Sequence, residues 1–272
     1  MGQTSIIPIA VTIAGSDSSG GAGIQADLKT FSALRVYGAS VITALTAQNT
    51  LGVTAIHDVP EEMIAAQIDA VFADLAVRAV KIGMLSRPSA IRAVSAGLAR
   101  WPTVPVVLDP VMVAASGARL LEDAAIATLK EMLLPKADLL TPNLPEAAAL
   151  LDEAVAETEA DMLRQGQALC AMGPKAVLMK GGHAAGSESI DLLVRASGVV
   201  RLPAPRHATR NTHGTGCTLS SAIAAGLARG QSLEDAVGAA KIFITGAIAE
   251  ADQLDIGTGH GPVHHFHALW RA

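Results

Sequence analysis

The chain has 272 residues, of which 50% are hydrophobic and 17% are charged, a composition typical of a compact globular protein with a sizeable core. Its net charge of −5 and its 3% aromatic content argue against a nucleic-acid partner, and no apolar run approaches the roughly 18–20 residues that span a membrane. The two cysteines, Cys170 and Cys217, lie far apart, so we expect no disulfide framework and a reducing, cytoplasmic location.

Strand-like apolar runs alternate with helical patterns along most of the chain. In chain order, we predict strands at 7–14, 40–45, 53–57, 77–82, 104–108, 138–140, 176–179, 191–194 and 199–202, and helices at 24–34, 61–75, 90–98, 123–133, 146–151, 161–172, 218–229 and 233–251. Continuously apolar strands between helices are typical of a parallel sheet that is buried on both faces. The pattern therefore predicts an α/β fold with a mainly parallel central sheet, helices on both faces, and one domain over residues 1–272.

Polar motifs follow the predicted strands at the points where the strands end. Gly15 follows the first strand, Met84 the strand at 77–82, and Asp109 the strand at 104–108, while Asn143 and Lys180 follow two later strands. Because ligands bind at the carboxyl ends of the strands in such sheets, we predict one site at this edge.

The segment 211–218, Asn-Thr-His-Gly-Thr-Gly-Cys-Thr, runs directly into an apolar helical pattern. Backbone N–H groups at such a helix start can hold an anion, so Gly214, Thr215 and Gly216 are predicted to form an anion hole. Cys217 lies at the same N-terminus, where we expect its thiol pKa to be lowered toward neutrality. An anion hole beside a potential base indicates phosphoryl transfer. Cys217 could also be an inert buried cysteine or an acyl-transfer nucleophile.

Neither a Walker A motif nor an intact GxGxxG motif occurs in the sequence. The chain instead resembles the ribokinase-like superfamily, and within it the hydroxymethylpyrimidine/phosphomethylpyrimidine kinases of thiamine biosynthesis. Sugar kinases of that superfamily generally carry GxGD, whereas here Cys217 follows the second glycine, which is the usual pattern in the pyrimidine kinase branch. The resemblance rests on the motifs at 12–27, 47–50, 81–84, 108–112, 141–146, 179–183 and 211–218, and on the ending at 261–266.

The resemblance implies a reaction. We expect ATP- and magnesium-dependent phosphorylation of 4-amino-5-hydroxymethyl-2-methylpyrimidine, and then of its monophosphate to the pyrophosphate, by a homodimer. The nearest alternative is a pyridoxine/pyridoxal kinase, because both substrates are flat heteroaromatic rings that bear a hydroxymethyl group. A sugar kinase and a catalytically inactive relative that senses a ligand are the remaining two candidates.

The resemblance also assigns roles to residues. Cys217 is the expected base, and Asp109 is a second candidate base, a carboxylate beside the magnesium ion, or a cap of the strand end. Lys180, Thr215 and Lys241 are expected to bind ATP, although a solvated position for Lys241 fits the sequence equally well.

Two further sets complete the expected site. Asn143 and Glu146 share a face at a helix start; their spacing alone favours an N-cap with a capping box, but the match to the motif at 141–146 implies that they hold magnesium partly through water. The remaining residues are expected to bind the aminopyrimidine, with Asp27 and Gln48 reading the polar edge of its ring and the others forming a flat apolar slot: Gly15, Ala22, Met84 and Val111.

Overall fold

The structure is a computed structural model that describes residues 7–101, 103–112, 120–183 and 187–270. These ranges contain nine strands: β1 (Ile9–Asp17), β2 (Tyr37–Asn49), β3 (Gly52–Asp58), β4 (Val77–Ile82), β5 (Val106–Leu108), β6 (Leu139–Leu140), β7 (Ala176–Lys180), β8 (Glu188–Arg195) and β9 (Gly198–Pro205). They also contain eight α-helices: α1 (Gly23–Ala33), α2 (Glu61–Asp74), α3 (Pro88–Arg100), α4 (Asp123–Met132), α5 (Leu144–Leu151), α6 (Glu159–Cys170), α7 (Thr215–Ala228) and α8 (Leu233–Ala249).

All nine strands join one sheet in the order β3-β2-β1-β4-β5-β6-β7-β8-β9. The strands from β2 through β1, β4, β5 and β6 to β7 pair in parallel. Antiparallel strands close both edges, with β3 on β2 at one side and β8 and β9 beyond β7 at the other. The predicted α/β fold with a mainly parallel sheet is thus confirmed.

The side chains of alternate residues in the central strands pack into two separate hydrophobic cores, one on each face of the sheet. Val11 and Ile82 point to the core that α2 to α6 cover, whereas Ala10 and Ala79 point to the core under α1, α7 and α8. Small side chains on this second face allow the alanine-rich helix α7 to pack close to the strands, which brings its first turn to the carboxyl edge of the sheet.

Several predicted strands are shorter than the observed ones. β1 continues to Asp17 and β2 covers Tyr37–Asn49, because backbone pairing between them persists past a bulge to the pair Asp17 and Thr46. An apolar pattern marks only the buried part of a strand, so it misses these polar ends. Among the described residues, no helix combines the length and the apolar character that crossing a bilayer requires.

Candidate active site

A cavity of about 800 Å³ opens at the carboxyl edge of the parallel strands. It is lined by the ends of β1, β2, β4, β7 and β9, the first half of β8, the segments that follow β4 and β5, and the starts of α1, α5 and α7, with α8 contributing one wall. The site therefore lies at the edge of the sheet where the polar motifs predicted it. Of the residues predicted for the site, the cavity lining includes all except Asp27: Gly15, Ala22, Gln48, Met84, Asp109, Val111, Asn143, Glu146, Lys180, Gly214, Thr215, Gly216, Cys217 and Lys241.

The start of α7 is shaped for an anion. Gly214 caps the helix in the left-handed conformation, with a φ of +80°, and a Cβ there would collide with the carbonyl oxygen of Gly21. A Cβ on Gly216 would lie 3.2 Å from Lys180 Nζ. Within the described part of the chain, the N–H groups of Gly216 and Cys217 donate to no acceptor. Two free donors and a nearby ammonium group thus meet at a helix start whose first residue, Gly214, must be glycine.

Lys180 and Asp109 form a buried ion pair at this space, with 2.9 Å between Nζ and Oδ1. Thr141 donates to the same oxygen at 3.0 Å, and Ser220 donates to Oδ2 at 3.3 Å. Burial opposes ionisation of Asp109, but the positive charges of Lys180 and Lys81 outweigh it and hold the pKa of this carboxyl below its usual value. Asp109 is consequently a carboxylate at neutral pH.

Cys217 lies in the first turn of α7, as predicted, but its acidity does not follow the prediction. Burial, together with the negative charges of Asp27 and Asp109, raises the pKa of the thiol to about 11, although Lys81 and an N–H bond from Gly23 act in the opposite direction. The expected lowering by the helix N-terminus is therefore wrong for the protein without its substrates. A helix terminus contributes about 0.3–1 kcal/mol in exposed positions, which desolvation and two nearby carboxylates exceed here.

Asn143 and Glu146 form the capping box that their spacing also allowed. Asn143 Oδ1 accepts from the Glu146 N–H group at 2.8 Å, and Glu146 Oε2 accepts from the Asn143 N–H group at 2.8 Å. Burial raises the pKa of Glu146 to about 7, with a smaller contribution from Asp109 and an opposing one from Lys180, which lies 3.9 Å away. Both residues nevertheless line the cavity.

The four residues predicted to form a slot for a flat ring all lie in the cavity lining. A Cβ on Gly15 would collide with the Met84 methyl group, so glycine is what lets this side chain lie against the end of β1. Gln48 Oε1 accepts a bond from Thr46 Oγ1 at 3.1 Å, and Gln48 Nε2 lies 3.4 Å from Nε2 of His213. The amide oxygen of Gln48 is thus held at the cavity wall by its own strand.

Asp27 does not read a substrate edge, and that prediction is wrong. Its side chain is 0% exposed, and its two oxygens accept bonds from Thr12 at 2.5 Å, Ser221 at 2.5 Å and Lys81 at 2.8 and 3.0 Å. These internal donors occupy the carboxylate, which lies outside the cavity lining, whereas Lys81 is part of that lining. Lys81 lies between the apolar residues Val80 and Ile82 near the end of β4, and a lysine inside such a run is the signal that could have identified it.

Lys241 is not on a solvated face. Its Nζ lies 2.7 Å from Asp191 Oδ2, and Asp191 Oδ1 accepts the N–H of Gly181 at 2.9 Å. Sequence reasoning assigned Asp191 only to a strand, although an acid inside an apolar run points to a buried partner. The pair joins α8 to β8 and to the end of β7 at the cavity wall.

Asp17 was also missed, although it lies in the first motif. Its Oδ1 accepts two bonds from Ser19, and its Oδ2 accepts the N–H groups of Gly21 at 3.1 Å and Ala22 at 2.8 Å and the His213 Nε2 bond at 2.8 Å. Burial acts against ionisation, but these hydrogen bonds, that from His213 above all, lower the pKa of Asp17 to about 2. The carboxylate of Asp17 thereby connects the glycine-rich loop after β1 to His213, which directly precedes the start of α7.

Comparison with known proteins connects this geometry to one family. The sequence matches the phosphomethylpyrimidine kinase family over residues 17–264. A relative from Rhizobium meliloti strain 1021, named hydroxymethylpyrimidine/phosphomethylpyrimidine kinase, is 61% identical over 263 residues, which cover 97% of this chain and 98% of the relative.

Solved structures agree with this assignment. The phosphomethylpyrimidine kinase of Clostridium difficile 630 is 48% identical, with a TM-score of 0.78 over 89% of this chain and 99% of the other. An ADP complex of Bacillus subtilis pyridoxal kinase has a TM-score of 0.89 at 34% identity and covers 98% of this chain and 100% of the other. The predicted ribokinase-like fold and kinase class are confirmed, and the chain belongs to the phosphomethylpyrimidine kinase family.

Proposed function

We propose that this chain transfers the γ-phosphoryl group of ATP to the hydroxymethyl oxygen of 4-amino-5-hydroxymethyl-2-methylpyrimidine, and then phosphorylates the monophosphate to the pyrophosphate. The observation that carries the proposal is the start of α7, where free N–H groups of Gly216 and Cys217 adjoin the Lys180–Asp109 pair. Phosphoryl transfer depends mainly on such positioning and charge stabilisation. The relatives' name, which contains both activities, supports the two-step assignment.

In the first step, the substrate hydroxyl oxygen attacks the γ-phosphorus in line, and the bond from phosphorus to the bridging oxygen breaks to release ADP. The free N–H groups of Gly216 and Cys217 stabilise the transferred group, and Lys180 neutralises part of its charge. The hydroxyl proton passes to a base. In the second step, a phosphate oxygen of the monophosphate takes the place of the hydroxyl oxygen, so the same donors serve both reactions.

Two groups can receive the hydroxyl proton, and they differ in strength and availability. Asp109 is ionised at neutral pH but is a weak base, because Lys180 and Lys81 lower its pKa. Cys217, with a pKa of about 11, is the stronger base once it is ionised, and ionisation at pH 7 costs about 5 kcal/mol. We propose Cys217 as the base for the alcohol, which is the harder of the two acceptors to deprotonate.

The residues predicted for magnesium fit an ion that keeps its water. Asn143 Oδ1 and Glu146 Oε2 each accept one backbone bond and retain a second lone pair at the cavity. Among the described residues, no group of three or more His, Cys, Asp and Glu side chains could hold a metal ion directly. We therefore assign the pair to contacts with water on a magnesium ion, which would supply positive charge to the ATP phosphates.

The substrate contacts and the assembly are part of the same proposal. Gln48 presents an amide to the polar edge of the pyrimidine, and Gly15, Ala22, Met84 and Val111 form the slot for its ring. We expect ATP to bind against Lys180 and Thr215 and against the part of the cavity wall formed by Lys241 and Asp191. We further propose a single-domain, cytoplasmic homodimer.

A coupled ADP assay with hydroxymethylpyrimidine, its monophosphate and pyridoxal as separate acceptors tests the function. We expect ADP release with the first two and a kcat/KM at least tenfold lower with pyridoxal, which a more distant family phosphorylates. Cys217→Ala should impair phosphorylation of hydroxymethylpyrimidine, Lys180→Met should impair phosphorylation of both pyrimidines, and Cys170→Ala, which alters the other cysteine, should leave both intact. Preference for pyridoxal would refute the substrate assignment, and loss of one phosphorylation alone in Lys180→Met would refute the shared site.

A further inference from the structure

The ion pair between Lys81 and Asp27 lies directly beneath the site and has no role in the steps above. Both side chains are 0% exposed, and Nζ lies 2.8 Å from Oδ2 and 3.0 Å from Oδ1. Thr12 and Ser221 donate to the remaining positions on the carboxylate. Buried ion pairs are often no more stable than apolar side chains of the same volume, so folding alone does not account for this one.

The pair is attached to the element that carries Cys217. Ser221 stands one helical turn after Cys217 on α7, and residues four apart share a helix face. Its hydroxyl group donates to Asp27 on α1, which in turn holds the ammonium group of Lys81 at the end of β4. Lys81 and Cys217 line the same cavity. The buried pair is thus fixed to α7 through Asp27, and it holds the ammonium group of Lys81 at the cavity that Cys217 also lines.

The charged groups that act on Cys217 come from several elements. Asp27 on α1 and Asp109 after β5 are negative, whereas Lys81 on β4 and Lys180 at the end of β7 are positive. The backbone of Gly23 also lowers the pKa of the thiol. Of the groups that favour the thiolate, Lys81 has the strongest effect. A thiolate between two carboxylates needs such a cation in a site with little water.

We propose that Lys81, clamped by Asp27, is a positioning residue that stabilises the thiolate of Cys217 and so controls how readily this base forms. The proposal rests on the function assigned above, in which Cys217 accepts the hydroxyl proton. It explains why a lysine lies among the buried apolar residues of β4, and why Asp27 faces inward rather than toward a substrate.

The two halves of the pair should have opposite effects on the thiol. Lys81→Met removes the cation and leaves two carboxylates, so the thiolate becomes less stable. Asp27→Asn removes an anion and keeps an oxygen for one of the two hydroxyl donors, Thr12 or Ser221, so the thiolate becomes more stable. A purely structural role predicts the same direction for both variants, because loss of either partner loosens the site and exposes the sulfur.

The readout is alkylation of Cys217 by iodoacetamide at pH 9 without substrates. All variants carry Cys170→Ser, which leaves Cys217 as the single thiol, since the chain has two cysteines. A change of one unit in the thiol pKa alters the thiolate fraction about tenfold. Because a less basic thiolate is also a weaker nucleophile, the alkylation rate changes by only about three- to fourfold. We expect Lys81→Met to slow alkylation by about this factor and Asp27→Asn to accelerate it similarly.

The double variant Asp27→Asn/Lys81→Met removes both charges and serves as the control if a single variant, which leaves one charge unpaired, fails to fold. Its Cys217 should be alkylated at a rate between those of the two single variants. Circular dichroism verifies that each variant is folded. Acceleration of alkylation by Lys81→Met, or equal rates in all variants, would overturn the proposal. Alkylation needs no turnover, so this outcome is separate from failure of the ADP assay, which would instead overturn the proposed reaction.

Discussion

The pH dependence of the chemical step tests whether Cys217 is the base. With a thiol pKa of about 11, roughly one molecule in ten thousand carries the thiolate at pH 7, and this fraction rises tenfold for each pH unit. If the thiolate accepts the hydroxyl proton, log kcat for hydroxymethylpyrimidine should rise with a slope near one between pH 8 and pH 10. Glu146, with a pKa of about 7, is already ionised through this range and does not disturb the slope.

The alternative base predicts a different profile. Asp109 is ionised well below pH 7, so a mechanism that uses only this carboxylate has a rate independent of pH in the same range. Cys217→Ala should lower kcat at pH 9 by about 10²-fold or more, the usual contribution of a general base, and should abolish the slope. Cys170→Ala should retain both the rate and the slope.

The assay is a single-turnover measurement with enzyme in excess over ATP, which isolates phosphoryl transfer from product release. Initial rates are taken from pH 8 to pH 10, after confirmation that activity returns on transfer to pH 8. A flat wild-type profile, or a slope of one that persists in Cys217→Ala, would refute the assignment of Cys217 as the base and leave Asp109 in that role.

Three further predictions concern stability. Asp17→Asn should lower the free energy of unfolding at pH 7 by about 2 kcal/mol. The hydrogen bonds that hold the pKa of Asp17 at about 2 stabilise the wild type above pH 4, and this stabilisation is lost as the pH falls toward 2. Urea unfolding at pH 7 and pH 3 measures the loss in the variant, and equal losses at both pH values would contradict the prediction. The raised pKa of Glu146 has the opposite sign, so this residue alone should make the wild type about 3 kcal/mol less stable at pH 8 than at pH 4.5, and Glu146→Gln should remove that difference in the same assay. Gly214→Ala should cost more than the roughly 1–2 kcal/mol of left-handed strain and should raise the KM for ATP, whereas Gly230→Ala, with a φ of +84° and no atom within 4 Å of the new Cβ, should cost the strain alone.

The predictable part of the site is the part that parallel topology gathers. Asp109, Lys180 and the glycines of α7 each follow a strand or begin a helix, so the carboxyl edge of the sheet brings them together wherever the intervening loops run. That Gly216 lies beside Lys180 follows from the same rule, because β7 and α7 meet at this edge.

The chemistry of individual groups was less predictable because distant residues decide it. The sequence around Cys217 suggests a helix N-terminus that acidifies a thiol, but Asp27 and Asp109, which are far away in the chain, reverse that effect. Asp27 itself lies on a helix with no nearby basic partner in its motif. Its partner Lys81 is 54 residues away, and only the packing of α1 against the sheet brings the two together.

In three lysine–aspartate pairs at the cavity, the charge of each lysine is balanced by a neighbouring carboxylate. Lys81, Lys180 and Lys241 each arrive with an aspartate within 3 Å, so their charges are largely balanced before ATP binds. The N–H groups of Gly216 and Cys217 have no such partner among the described residues. An anion that enters must share the lysines with their carboxylates but meets the helix start unopposed, so stabilisation is greatest where the moving phosphoryl group carries its charge. The same balance limits the cost of burying three cations, which explains why so polar a site persists at the edge of an apolar sheet.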